Sequence, residues 1–318
     1  MRDLSGLVVE DCVLVARVGP ARTVQRYRAA DRLLGRSMGA RILSDAPARR
    51  PGAIDRFLVR ARFGAVVFPR WRTLHALPIF RTGRAHETAY TITPPVEDDD
   101  LVTFVERRGP LPWPLTRRLL VHACSALHVA HGAGVAHGDL RPEHCLVRER
   151  IDDDLGHARH DLLVADFGTP LGEQAILVEP GPPKLASVHD DLRALGRLAL
   201  FMLLGEPPTD DHVRSVLSEE SGPDGYRKDA AAGPDLPPHA LAALRRLLTD
   251  DLAAAFPDAR AVALALAVAE PREADLERLL AHMVTAVPAH IRPVEDRERA
   301  FAVVLVLVVI YLFVRVLL

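Results

Sequence analysis

The rhythm of hydrophobic and polar positions changes along the chain and divides it. Residues 6–43 carry short apolar runs that read as strands with a turn between them. Residues 52–66 switch to helical spacing, and AYTITP around 88–93 returns to a strand pattern. From about 100 onward the helical period dominates. A helix start at 100–109 precedes a long amphipathic helix over 115–134 that ends at glycines. Residues 191–204 are apolar at helical spacing on most sides, and further helices are expected at about 238–251, 258–269 and 271–285. Two β-like runs, HCLV (144–147) and DLLVADFG (161–168), interrupt this half, and RERIDDDLGHARH (148–160) between them reads as a surface loop. The stretch 209–236, rich in proline, glycine and acidic residues, reads as a loop with at most one helical turn. Strands first and helices after predict an α+β chain.

The pattern at the far end is of another kind. Residues 300–314 are apolar or aromatic without interruption, and 300–318 carry a single charge, Arg315. A membrane helix needs about 20 such residues, and an arginine near its end can snorkel to the interface. FAVVLVLVVIYLFV has no polar face to turn toward water, so a single-pass transmembrane helix in the cell membrane is expected. Arg292, Arg297 and Arg299 on its near side predict that the preceding residues are cytoplasmic. The opening MRDLSGLVVED has acidic residues and no continuous apolar stretch, unlike a secretory signal.

Composition narrows the chemistry. At 49% hydrophobic and 26% charged, the 318 residues can bury a proper core. A net charge of −2 gives no general pull toward nucleic acid, which is not expected as a partner. Cys12, Cys124 and Cys145 form no CxxC pair, so neither a disulfide framework nor structural zinc is expected. The basic residues are 38 arginines and two lysines, Lys184 and Lys228, and asparagine is absent. Any mechanism that needs a lysine in the first half, or an asparagine anywhere, is excluded.

GVAHGDLRPEHCLV (134–147) followed by VADFG (164–168) resembles the catalytic loop and metal-binding DFG of the protein-kinase-like superfamily, bacterial Ser/Thr kinases in particular. The family reads H-R-D-L-x-x-x-N and then D-F-G. Here the residues are His137, Gly138, Asp139 and Leu140, then His144, then Asp166, Phe167 and Gly168. DDLRALGRLALFMLLGEPP (190–208) resembles the buried helix that anchors the catalytic loop, and the likeness runs in family order from about residue 12 to 270. It implies a bilobal protein-kinase-like fold, with a small β-rich N-lobe over 1–98 and a larger helical C-lobe over 99–285. A charged juxtamembrane linker (286–299) and the transmembrane helix (300–318) would complete the chain. By the same resemblance ATP and Mg²⁺ are the cofactors, Asp139 is the base and Asp166 holds the metal. Aspartates at these places also bond loop backbone, a role that needs no chemistry.

Several positions depart from the family. VARVGPARTVQRYRAAD (15–31) puts Gly19, Ala21 and Val24 where G-x-G-x-x-G would stand, with Pro20 removing one N–H. Arg26 replaces the apolar residue that roofs the adenine. Arg41 takes the lysine position in SMGARILS (37–44), and Arg60 takes the position of the glutamate that would pair with it. A unit pair ~4 Å apart at an effective dielectric of ~20 is worth about 4 kcal/mol, so attraction becomes repulsion of similar size. Either the helix bearing Arg60 swings out or an anion lies between the two. His144 stands at the asparagine position, where imidazole suits a softer metal better than Mg²⁺, and a structural histidine is the simpler reading. The pairs His128/His131 and His157/His160 read as surface or satisfied side chains. Between Thr169 and Ser187 there is no residue to phosphorylate, and Gly138 replaces the arginine that would bind such a phosphate. VEPG (178–181) is the nearest approach to A-P-E, and its arginine partner position holds Ala255.

The expectation is a membrane-anchored, degenerate kinase-like domain that acts as a signalling or scaffolding module on protein partners, with ATP and Mg²⁺ doubtful as ligands. The alternative is an active bacterial Ser/Thr kinase that uses Asp139 and Asp166. A small-molecule phosphotransferase and a metal-binding or purely structural protein are further readings.

Overall fold

The computed structural model describes residues 3–20, 22–44, 48–67, 75–95, 98–151, 158–167, 169–170, 187–218 and 236–268. The expected helix at 271–285, the juxtamembrane linker and the apolar stretch 300–318 lie outside these residues. Among the described residues, no helix is long and apolar enough to cross a membrane.

The N-terminal part is a six-stranded antiparallel sheet in the order β1-β2-β3-β4-β6-β5. Its strands are β1 (Val8–Val9), β2 (Cys12–Val18), β3 (Val24–Asp31), β4 (Ser37–Leu43), β5 (Arg81–Ala85) and β6 (Thr88–Thr93). Alternation along the strands sends Cys12, Leu14, Tyr27, Ala29, Ala40, Ile42, Tyr90 and Ile92 to one buried face. The opposite face receives helix α1 (Ala53–Val67), whose Leu58 packs with Leu43 and Ala89. β6 is therefore covered on both sides, and every residue of TAYTIT is buried.

The C-terminal part is helical around one large core. It contains α2 (Leu101–Arg108), α3 (Trp113–Gly132), α4 (Val188–Leu204), α5 (Asp210–Leu217), α6 (Pro238–Leu248) and α7 (Ala259–Val268). Asp100 caps α2 by accepting from the Thr103 N–H. Ser187 and Asp190 form a capping box at the start of α4, which ends at Gly205 in the left-handed region. The apolar run read at 191–204 is the buried α4, and Leu195, Leu198, Ala199 and Met202 are all in the core. Two small sheets flank the junction of the two parts. β7 (Asp99–Asp100), β9 (Cys145–Ile151) and β10 (Ala158–Val164) form one, and β8 (Val135–Ala136) with β11 (Thr169–Pro170) the other.

Three elements differ from the sequence reading. β5 has the sequence RTGRA, a polar edge strand with no apolar alternation to announce it. Its hairpin to β6 turns through His86 and Glu87, both with positive φ (48° and 65°), in place of the usual Asn-Gly signal. α5 falls inside the stretch read as loop, held by a capping box between Thr209 and His212. Much of 148–160 is strand, because β9 and β10 stay paired out to Ile151 and Ala158.

Candidate functional site

The loop after β8 is fixed from below by one carboxylate. Asp191, buried near the start of α4, accepts the backbone N–H groups of His137 (2.7 Å) and Gly138 (2.8 Å). His131 Nε2 donates to the same carboxylate at 2.8 Å. Burial pushes the Asp191 pKa up, but His131, His137 and the Gly138 N–H outweigh it and the pKa is lowered. Glycine at 138 fits a backbone with φ of 73°. His137 is fully buried; its Nε2 donates to the Ala165 carbonyl (2.8 Å) while Nδ1 accepts the Asp139 N–H (3.2 Å). Burial lowers its pKa to about 4, so the ring is neutral at physiological pH.

Above this loop the structure brings Arg41, Arg60, Asp139, His144 and Asp166 together. Arg41, on β4, has only 6% of its side chain exposed and ion-pairs through Nη2 with Asp166 Oδ2. Arg60, on α1, donates through Nη2 to the main-chain carbonyls of His137 and Asp166, both at 3.0 Å. The helix has not swung out: a Cβ on Gly64, one turn along, would stand 2.9 Å from the Phe167 carbonyl oxygen. The anion beside the two arginines is Asp166 itself. Burial pushes its pKa up, yet Arg41 above all, then His144 and Arg60, hold it down at about 2. Its backbone is left-handed, with φ of 63°. His144 Nδ1 donates to the Asp139 carbonyl (2.7 Å), which leaves Nε2 facing Asp166 Oδ2 at 3.7 Å. Asp139 pairs with Arg141 at 2.7 Å and has Arg60 at 4.0 Å.

A second charged cluster joins the sheet to the linker at 98–100. Arg26, across the β3–β4 ladder from Arg41, donates to the Asp98 carbonyl at 2.6 Å in the linker between the two parts. Arg22 makes a two-pronged bond to Asp100 (2.7 and 3.1 Å), and Arg26 Nη2 lies 3.7 Å from the same carboxylate. Arg148 reaches the Asp98 carboxylate at 3.1 Å. Gly19, with φ of 71°, lies against Arg26: a Cβ there would be 2.7 Å from Arg26 Nη2. The glycine at the phosphate-loop position thus accommodates a guanidinium of its own chain.

No protein-family model matches the chain. Among curated proteins it is 27% identical over 190 residues to a probable serine/threonine-protein kinase of Bifidobacterium longum, covering 58% of this chain and 25% of that protein. It is 26% identical over 200 residues to the serine/threonine-protein kinase PknE of Mycobacterium tuberculosis, covering 60% and 34%. PknL of the same species is 24% identical over 238 residues, with 71% and 57% covered. The chain thus spans about a quarter to a third of the first of these relatives. Among solved structures, the Mycobacterium tuberculosis PknI kinase domain superimposes with a TM-score of 0.57 at 20% identity, covering 84% of this chain and 98% of that one. PpkA in its apo form gives 0.58 at 21%, covering 83% and 98%. The chain has a protein-kinase-like fold and resembles bacterial serine/threonine-protein kinases in sequence. A further neighbour, Rad53 in complex with AMP-PNP, gives a TM-score of 0.55 at 19% identity, covering 80% and 64%.

The kinase-like arrangement does not suit a magnesium ion as it stands. Asp166 Oδ2 carries the Arg41 guanidinium and faces an imidazole, while Mg²⁺ wants oxygen ligands in a near-ideal octahedron. Among the described residues, no group of three or more His, Cys, Asp or Glu is arranged to hold a metal. The 171–186 part of the segment after DFG lies outside the described residues. Ala255, at the position of the missing arginine, is buried. Sequence reasoning did not single out Arg22, Asp98, Asp100 or Arg141 for the site. Arg141, two residues after Asp139, was the one within reach of a spacing argument.

Proposed function

We propose that this chain is a degenerate kinase-like module, carried on the cytoplasmic side of the cell membrane by residues 300–318, that works by binding protein partners rather than by phosphotransfer. The observation that carries the reading is the Arg41–Asp166 ion pair. A carboxylate that must hold a metal against phosphates is instead neutralised from within the fold. Asp139 is similarly engaged by Arg141. The loop scaffold of His137 and Asp191 persists because it fixes backbone, a structural task that outlives catalysis. ATP and Mg²⁺ are then not required ligands.

One observation favours the active-kinase alternative. Asp139 keeps 32% of its side chain exposed and its partner Arg141 lies at the surface, so the carboxylate could be released toward a substrate hydroxyl. Transfer of ³²P from ATP to a generic protein substrate, by the full chain and by Asp139→Ala, separates the two. No transfer by either is expected. Turnover that the substitution abolishes would overturn the proposal.

A further inference from the structure

Charge in the cleft is unevenly balanced. In the upper cluster Arg22, Arg26 and Arg148 are matched by Asp98 and Asp100, with Glu143 acting on Arg22. That cluster is neutral by count, and its linker carbonyl is already taken by Arg26. In the lower cluster three arginines, Arg41, Arg60 and Arg141, face two carboxylates, Asp139 and Asp166. Glu143 acts on Arg141 as well as on Arg22, so over the two clusters together six arginines face five carboxylates and one positive charge is left over; Arg26 adds its own repulsion toward Arg41. The donors are unbalanced in the same sense. Arg41 Nε and Nη1 and Arg60 Nε are buried without a hydrogen-bond partner. Such unspent donors are costly, above all on a charged group that is nine-tenths buried.

We infer that the Arg41–Arg60 end of the cleft is a metal-independent site for a small phosphate-type oxyanion, such as inorganic phosphate or pyrophosphate, with no base attached. Guanidinium groups match the geometry of phosphate oxygens and need no cation to mediate the contact. A nucleotide is disfavoured because its base would have to displace Arg26 from the Asp98 carbonyl and open the Arg22–Asp100 bond. In a kinase with Lys, Glu and two Asp in these places the site is net negative and magnesium must bridge it to phosphate. Here the same four positions balance to zero, and Arg141 tips the cluster positive. The inference deepens the reading of this cleft as one that does not transfer phosphate, and rests on it.

The test is thermal unfolding of the full chain in EDTA with inorganic phosphate, pyrophosphate or adenosine, against chloride at matched ionic strength. A hundredfold excess over Kd should raise the Tm by about 5–10 °C. Pyrophosphate and phosphate are expected to do so, adenosine is not, and Mg²⁺ in place of EDTA should give no gain. Arg60→Gln is the informative variant, since it leaves the Arg41–Asp166 pair in place, and it should weaken pyrophosphate at least about tenfold. Titration calorimetry with pyrophosphate reads the same loss without relying on a melting curve. No shift with either oxyanion, or a shift that Arg60→Gln leaves intact, would overturn the inference. Stabilisation by ATP that requires Mg²⁺ and disappears in Asp166→Ala would instead overturn the reading of the cleft on which it rests.

Discussion

Replacing Arg41 by methionine keeps the length of the buried stem and removes the charge that faces Asp166. The lowering of the Asp166 pKa from the ordinary 3.8 to about 2 corresponds to roughly 2 kcal/mol in favour of the folded carboxylate, at about 1.4 kcal/mol per pKa unit. That figure is what survives after the burial cost, and Arg41 is the strongest of the groups that supply it. Without Arg41 the carboxylate keeps its burial and retains Arg60 and His144 as weaker support. The expected cost is about 3 kcal/mol, at the lower end of the roughly 3–5 found when one partner of a buried pair is removed. For a domain of this size that is a fall in Tm of about 6–12 °C at pH 7. A double-mutant cycle isolates the pair. Asp166→Asn alone should also destabilise, because it strands a buried guanidinium, whereas the double variant should recover much of the loss. Thermal unfolding of the four full-length proteins gives the coupling directly. Arg41→Met with an unchanged Tm, or losses that simply add in the double variant, would refute the claim that Arg41 is the counter-ion of Asp166.

Two further outcomes follow from the geometry. His137 has its pKa depressed to about 4 and that of buried His122, stacked on His75 at 4.0 Å between ring centres, is also lowered by burial. In both cases the unfolded chain takes up the proton first, so stability is full above pH ~6.5 and is lost as pH falls toward the folded value; His137 alone accounts for about 2 kcal/mol by pH 5. Tm measured from pH 7.5 to 5 should therefore decline, less steeply in His122→Gln, and a flat profile would contradict the burial argument. Gly64→Ala gains about 1 kcal/mol of helix propensity but sets a methyl 2.9 Å from the Phe167 carbonyl. We expect a net loss of about 1–2 kcal/mol by thermal unfolding, and a raised Tm would show that α1 is not tightly seated there.

Legibility in the sequence followed how local each cause is. The buried α4 announced itself because burial on most sides leaves an apolar run that needs no partner to be read, and β6 because its β-branched and aromatic residues favour a strand. β5 was missed because an edge strand can be arginine-rich and its turn was made by residues outside the usual turn chemistry. α5 was missed because proline, glycine and acidic residues on both sides masked a short helix whose stability comes from one capping box. At the site, Asp139, Asp166 and the absent lysine and glutamate could be read position by position. The Arg22–Asp100 bond could not, since its partners are 78 residues apart and no spacing rule links them.

The substitutions at the cleft make sense jointly rather than singly. Arg41 and Arg60 together present the problem of two like charges near one another, which left a choice between a displaced helix and an intervening anion. Asp166 resolves it in favour of the anion, and Gly64 is what lets α1 remain close enough for Arg60 to reach the Asp166 and His137 carbonyls. Restoring lysine at 41 alone would not recreate a metal site, because Arg60 would still add positive charge beside Asp166 and no glutamate would hold the new ammonium away from it. Restoring glutamate at 60 alone would give Arg41 a second carboxylate partner and leave its pairing with Asp166 free to persist. Only the two changes together transfer the cation from Asp166 to the helix. The two positions are thus coupled: with either arginine in place, a change at the other alone does not free Asp166.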